Sequence, residues 1–397
     1  MEPKKLQWLK KAGVACLLLA ATAVASPAQA FRTLVYFKGT NGGNPGYGSL
    51  FQDKDGNFYG TTQLGGANGC GTVFKMTPGG KLTTLHSFNG TDGCEPYAGL
   101  VLGADGNFYG TTGGTLARRH SIEGPCVYGS VFKITREGTL TNLHTFKVTD
   151  GYYPSDTLLL GPDGNFYGTT IYGGQNLAGT VFRITREGTL TTLHSFSFFG
   201  TDGSVPIAGL VLGTNGNFYG TTWSGGAYAD GTVFKVTREG MLTTLHSFDG
   251  TDGRMPYAAL VLGADGNFYG TTHEGGAPEY GGYGTVFKMT REGTLTTLHS
   301  FDVTDGQLPL APLIQATDGT FYGTTQEGGY DGLGTVFKMT REGTLTTLYS
   351  FRETTDGWLP YAGVVLGTDG KVYGTTFEGG PYTWGTVFSL TVLRGEE

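Results

Sequence analysis

Three glutamates, Glu274, Glu327 and Glu378, recur 53 and 51 residues apart, each directly before a glycine pair. Carboxylates that a repeat brings onto one surface could do two kinds of chemistry. A pair flanking a glycosidic bond supplies the acid and the nucleophile or base of glycoside hydrolysis. A cluster of oxygens takes a hard cation such as calcium, the weaker of the two readings. Trp223, Tyr228, Trp358 and Trp384 add aromatic surface in the same class of loop, suited to stacking on sugar rings. Arg118 and Arg119 stand together in one long insertion, residues 113–128. These nine are the candidate ligand-binding residues, although solvated charge is the ordinary role of such acidic and basic side chains.

Other reactive types carry less. His86, His144, His194, His246 and His299 occupy one place in successive repeats, with Tyr36 and Tyr349 in the remaining copies. Groups spread evenly through a repeat array are structural, not a ligand set. Thr-Asp-Gly at Asp92, Asp150, Asp202, Asp252, Asp305 and Asp356 reads as an Asx-type turn, because no second acidic residue keeps calcium-loop spacing beside it. No Gly-x-Ser-x-Gly, His-Glu-x-x-His or Cys-x-x-Cys is present. Neither a cofactor nor a catalytic residue is assigned. Cys94 is expected in a disulfide with Cys70 or Cys126. Cys126 is preferred because that bridge would pin the insertion.

The elements that position these residues are copies of one unit. Phe-Tyr-Gly-Thr-Thr starts at Phe58, Phe108, Phe166, Phe218, Phe268 and Phe321, and a Val372 variant makes seven. The steps are 50, 58, 52, 50, 53 and 51 residues, the period of a four-stranded propeller blade. Within one copy, Tyr97–Gly103 reads as a first strand, apolar on both faces. Asp105-Gly106 is a hairpin turn, Asn107–Thr112 a second strand and Gly129–Thr135 a third. Arg136-Glu137-Gly138 turns into a fourth strand, Thr139–Phe146. Apolarity falls from first to fourth, so the first strand is expected at the hub and the most buried. The last repeat stops after its third strand, and residues 31–37 (Phe31 to Phe37) match the fourth. Seven antiparallel blades closed by the N-terminal strand follow, an all-β, seven-bladed propeller over residues 31–397.

In an up-and-down blade the two Gly-containing turns lie on one face of the disc. The second-to-third loops and the blade-to-blade crossings lie on the other. The turns hardly change between copies, which points to backbone geometry, whereas the loops and crossings diverge. Divergent loops on a rigid frame are where binding usually sits. Free drift of surface loops explains the same divergence.

Residues 1–30 read as a secretory leader: Lys4, Lys5, Lys10 and Lys11, an apolar stretch from Ala12 to Ala25, then Ala28-Gln29-Ala30. Four of the 26 Lys and Arg and one of the 33 Asp and Glu fall there, leaving a net charge of −10. That argues against nucleic acid and anionic membranes. No later segment approaches a membrane helix and no C-terminal anchor is recognised. The expectation is a secreted monomer, extracellular or periplasmic.

The pattern Gly-Leu-Val-x-x-x-Asp-Gly-Asn-Phe-Tyr-Gly-Thr-Thr, then Gly-Gly, then Gly-Thr-Val-Phe-Lys-x-Thr, resembles the bacterial tandem repeat called Gloeo/Verruco, or GloVer. It is also distantly similar to the two-component-regulator propeller repeat. The resemblance covers nearly the whole mature chain and implies secretion and a repeat fold, with no established activity. The leading functional expectation is a binding module for an extracellular carbohydrate or protein. The alternatives are a glycosidase or lyase using the glutamates of blades five to seven, and a purely structural repeat protein.

Overall fold

The computed structural model describes residues 30–114, 125–277, 282–352 and 355–392; the leader, Arg118, Arg119 and the side chain of Cys126 lie outside them. Seven four-stranded antiparallel sheets account for the 28 strands. In six of them the strands follow chain order. In the seventh the outermost strand is Phe31–Tyr36, paired with Thr386–Thr391, so the first strand of the chain completes the last blade. Seven hydrophobic clusters lie one at each junction between neighbouring blades, including the junction of blade seven with blade one. The chain is therefore a closed seven-bladed β-propeller.

The recurring pentapeptide builds those junctions. Its five residues form the second strand of each blade and are all buried. The tyrosine tilts onto the phenylalanine of the next blade: Tyr109 on Phe166 at 4.1 Å, Tyr167 on Phe218 at 4.1 Å, and Tyr373 on Phe58 at 4.3 Å across the closure. The glycine makes room within the blade, because a Cβ on Gly110 would stand 2.6 Å from the Phe132 ring on the third strand. The first threonine crosses to the next blade's inner segment, as Thr61 Oγ1 to the Ala98 carbonyl at 2.8 Å. The second pairs with a hydroxyl of the third strand, Thr62 with Thr72 at 2.8 Å. Three of the first threonines, Thr111, Thr271 and Thr375, have a buried hydroxyl with no partner. Two of these face blades in which the accepting alanine is replaced, by Asp156 in blade three and Gly48 in blade one.

Two expectations need correction. The first strand is a ladder of only two residues, such as Val101–Leu102, and these are half-buried; the second strand is the deepest. The preceding hub segments turn their polar groups around the ring instead. Gly48 N–H donates to the Tyr97 carbonyl (2.9 Å), and Gly99 N–H donates to Thr157 Oγ1 (3.0 Å). Sandwiching by neighbours buries the middle strands, while the hub leaves the inner edge open. The histidines and the Thr-Asp-Gly aspartates also prove to be one device rather than two. His86 meets Asp92 at 2.8 Å, His194 meets Asp202 at 2.7 Å, and Tyr349 takes the same place beside Asp356. Each pair ties an outer strand to the crossing that follows it.

Candidate functional site

Every crossing ends in a proline, and the residue before it adopts a left-handed backbone: Asn44, Glu95, Tyr153, Val205, Met255, Leu308 and Leu359, with φ between 50° and 65°. Residues preceding proline favour extended backbone, and β-branched or bulky residues at positive φ are strained. Two hydrogen bonds hold the strain. The N–H of Glu95 donates to the Cys70 carbonyl of blade one, and its carbonyl accepts from Gly113 N–H in its own blade, both at 2.9 Å. The same pair recurs around the ring, as Tyr153 with Tyr128 and Ile171, and Leu359 with Leu333 and Phe377. The backbone is thus identical in all seven copies while the side chain differs in nearly all.

These residues surround the axis together with the residue after each proline and the residue after each Thr-Thr. Gln63 Nε2 donates to the Tyr97 hydroxyl at 2.9 Å, and that hydroxyl donates to Glu95 Oε2 at 2.9 Å. Phe377 lies 4.7 Å from Tyr361, and His273 lies 6.1 Å from Tyr257. Tyr47 crosses the axis itself: its ring contacts Tyr97 at 6.2 Å, Tyr257 at 5.5 Å and Tyr361 at 5.3 Å. Counted back from the first strand, Tyr47 holds the place of Tyr97, Tyr257 and Tyr361, but blade one has one residue more after its proline. This one tyrosine closes the hub with an aromatic floor.

The electrostatics of this mouth follow from burial. Desolvation, and then the carboxylate of Glu95, push the Tyr97 hydroxyl well above its ordinary value. Tyr361 is pushed up to about 12 by burial first, then by Tyr47, Glu378 and Glu327. Burial lowers His273 and so favours its neutral ring, whose Nδ1 is buried without a partner. Beneath the floor is a cavity of about 20 Å³ beside Tyr47, Tyr257 and Asp156. Asp156 accepts N–H bonds from Thr157 and Gly209, each 2.6 Å, joining blades three and four. Its burial nevertheless raises its pKa.

The acidic arc is divided. Glu274 pairs with Arg254 of its own crossing at 2.5 Å. Glu378 accepts from Trp358 Nε1 at 3.2 Å, and Glu327 takes a long contact from Gln326 Nε2, 3.5 Å. The charges of Glu327 and Glu378 both act on the Tyr361 hydroxyl, raising its pKa. Trp223 is half-buried at the place equivalent to His273, and Tyr228 stands 64% exposed on the rim. Trp384 packs against Gly39 and Gly43 of the crossing into blade one. Cys94 is buried. Among the described residues no group of three His, Cys, Asp or Glu side chains is placed to hold a metal ion, and no helix is long and apolar enough to cross a membrane.

The hub tyrosines were missed as site residues because they read as core of the first strand. Their signal was present: the place after proline holds Gly46, Tyr97, Ser155, Ile207, Tyr257, Leu310 and Tyr361, as varied as any loop. Two larger clefts lie elsewhere. One of about 520 Å³ on the turn face is lined by Asp53 and Arg136, which pair with each other. One of about 360 Å³ on the outer rim is lined by His299, Asp302 and Asp305, where His299 and Asp305 form a tether like those of other blades.

A family model, the Gloeobacter/Verrucomicrobia repeat, matches residues 22–122, 113–315 and 262–396. No curated protein matches the sequence. Among solved structures, the extracellular domain of a protein described as a hybrid two-component system from B. thetaiotaomicron is similar, with TM-score 0.58 and 10% identity. The match covers 91% of this chain and 41% of that one, so this chain spans about two fifths of that relative's length. A protein described as a 6-phosphogluconolactonase from Bacteroides fragilis has TM-score 0.53 and 20% identity over 80% and 86% of the two chains. The periplasmic gluconolactonase of Pseudomonas aeruginosa has TM-score 0.52 and 17% identity over 85% and 98%. At these identities the likeness is one of fold.

Proposed function

From the premise that this chain belongs to the Gloeobacter/Verrucomicrobia repeat family, we propose that it is a secreted binding module that engages an extracellular carbohydrate or protein through its loop face. The observation that carries this reading is the ring of seven strained pre-proline residues. A strained backbone conserved between copies, with side chains that change from copy to copy, is what a rigid frame presenting a specific surface requires. Free drift of surface loops gives no reason for the same strained φ seven times. The similarity to the extracellular domain of a protein described as a hybrid two-component system agrees with an exported location. In that compartment Cys94 pairs with Cys126, fastening the insertion to the crossing.

The enzyme reading is the weaker one. Glu327 and Glu378, whose charges both act on Tyr361, are its best carboxylate pair, while Glu274 is neutralised by Arg254. An array of extracellular glycans and secreted proteins tests the binding proposal. Binding is expected to survive the turn-face change Arg238→Ser with Arg291→Ser and to fall with Trp223→Ala and Tyr228→Ala on the loop face. Loss with the turn-face variant alone would sink the proposal.

A further inference from the structure

Aromatic rings form an unbroken series across the loop face. In blade three, Tyr172 lies 5.6 Å from Tyr152, which lies 6.5 Å from Tyr153. Tyr153 meets Tyr97 of blade two at 6.3 Å, and Tyr97 meets Tyr47 at 6.2 Å. Over the axis, Tyr47 meets Tyr361 of blade seven at 5.3 Å, and Tyr361 meets Phe377 at 4.7 Å. All seven rings are half-buried, so each is gripped by its neighbours and still offers part of its surface to solvent. Ring separations in this range are those of mutually supporting aromatic pairs. A platform ordered before the ligand arrives loses little entropy when it binds.

The chemistry around the belt selects its occupant. At the five loop positions that supply the belt's rings in one blade or another, Arg254 is the one Lys or Arg, already paired with Glu274, while Glu95, Glu327 and Glu378 add carboxylates. An anionic ligand would be desolvated here without a counter-charge, at high cost. The backbone groups of the strained residues are already paired, the N–H with the preceding blade and the C=O within their own, so an extended peptide finds no open strand edge there to lengthen. What the belt does offer is ring faces interspersed with hydroxyl, amide and carboxylate groups, the Gln63–Tyr97–Glu95 chain among them. A pyranose ring needs both, apolar C–H faces against aromatics and hydroxyls against polar groups.

Resting on the loop-face reading above, we infer that this belt is the seat of a neutral, extended saccharide chain lying from blade three across the axis to blade seven. Tyr47 and Tyr361 hold its centre, and Tyr153 holds a sugar toward blade three. One sugar covers one or two rings, so occupation of the whole belt requires an oligosaccharide.

Titration calorimetry of the full chain tests this with cellohexaose, maltohexaose, mannohexaose and xylohexaose, their disaccharides, hexagalacturonate and a proline decamer. At least one neutral hexasaccharide is expected to bind, roughly tenfold or more tighter than its disaccharide, and hexagalacturonate is not expected to bind. Tyr361→Ala and Tyr47→Ala each weaken both lengths about tenfold, whereas Tyr153→Ala weakens the hexasaccharide and spares the disaccharide. Tyr47→Phe keeps the ring and is expected to keep the affinity, which separates a lost platform from a lost fold. Binding to none of the neutral glycans, equal binding of hexagalacturonate, or binding of the proline decamer instead would overturn the inference. A loop-face ligand that Trp223→Ala abolishes and Tyr361→Ala leaves alone would overturn the belt and spare the binding module. A ligand that maps to the turn face would overturn both.

Discussion

The two faces of the disc come from the same seven repeats and use repetition in opposite ways. On the turn face the side chains repeat. Asp105, Asp163, Asp265 and Asp369 each accept a hydrogen bond from the tyrosine of their own pentapeptide, at 2.8 to 2.9 Å, and from the backbone two residues on. On the loop face the backbone repeats and the side chains do not. Glu95, Tyr153, Val205 and Leu308 share one strained conformation and nothing else. A contact that must close a ring tolerates little variation, because each blade meets a near-identical neighbour. A surface whose geometry is carried by backbone hydrogen bonds leaves its side chains available for recognition.

The comparison can be tested at its root with Phe166→Ala, which removes a fully buried ring from the junction of blades two and three. The expected loss is about 3–5 kcal/mol in denaturant unfolding. A loss below about 1 kcal/mol would mean that the pentapeptide is not the cement between blades.

On the loop face, Ala229 sits at φ 65° and is exposed, while Gly69 and Gly332 hold the equivalent place in blades one and six. Ala229→Gly is expected to raise stability by about 1 kcal/mol, by relieving a left-handed alanine. A fall in melting temperature would show that this loop's conformation owes nothing to strain.

The smallest effect concerns acid stability on the turn face. Burial opposes ionisation of Asp55, but bonds from Asn57 and Lys75 outweigh it and hold the carboxyl at about 2. Asp105, Asp163, Asp265 and Asp369 are lowered for similar reasons. A depressed folded pKa means stability that is present above the unfolded value near 4 and lost as pH falls through the folded value. Melting temperature should therefore fall between about pH 4 and pH 2. Blade four already carries Asn215, whose Nδ2 donates to the Tyr219 hydroxyl at 2.9 Å. Asp105→Asn, at a carboxylate held by Asn107 and Tyr109, should accordingly cost under about 1 kcal/mol at pH 7 and make the acid slope shallower. An unchanged slope would remove this aspartate from the account.

Much of the frame was legible before any coordinates. Phe31 to Phe37 matched the outer strands, so ring closure could be read from the two chain ends, and the His and Asp positions were both recognised as structural. Their pairing was visible only in how they co-vary: Tyr349 replaces a histidine and keeps Asp356, whereas Tyr36 stands with Asn41. The acidic arc was singled out from its spacing. Spacing places residues on equivalent blades, and only the tertiary structure shows that Arg254 takes Glu274 while the other two charges act on Tyr361.

Local pattern therefore settled the blade, its number, the closing strand and which face would vary, since strand periodicity, turn chemistry and the repeat are properties of neighbours in the chain. The aromatic floor and the belt lay beyond that reach. Tyr47 meets partners 50, 210 and 314 residues away, and it does so because seven wedges close on a common axis. A one-dimensional repeat records that seven side chains are equivalent. Only closure of the ring decides that one of them, Tyr47 in the blade with an extra residue after its proline, reaches across and fills the centre.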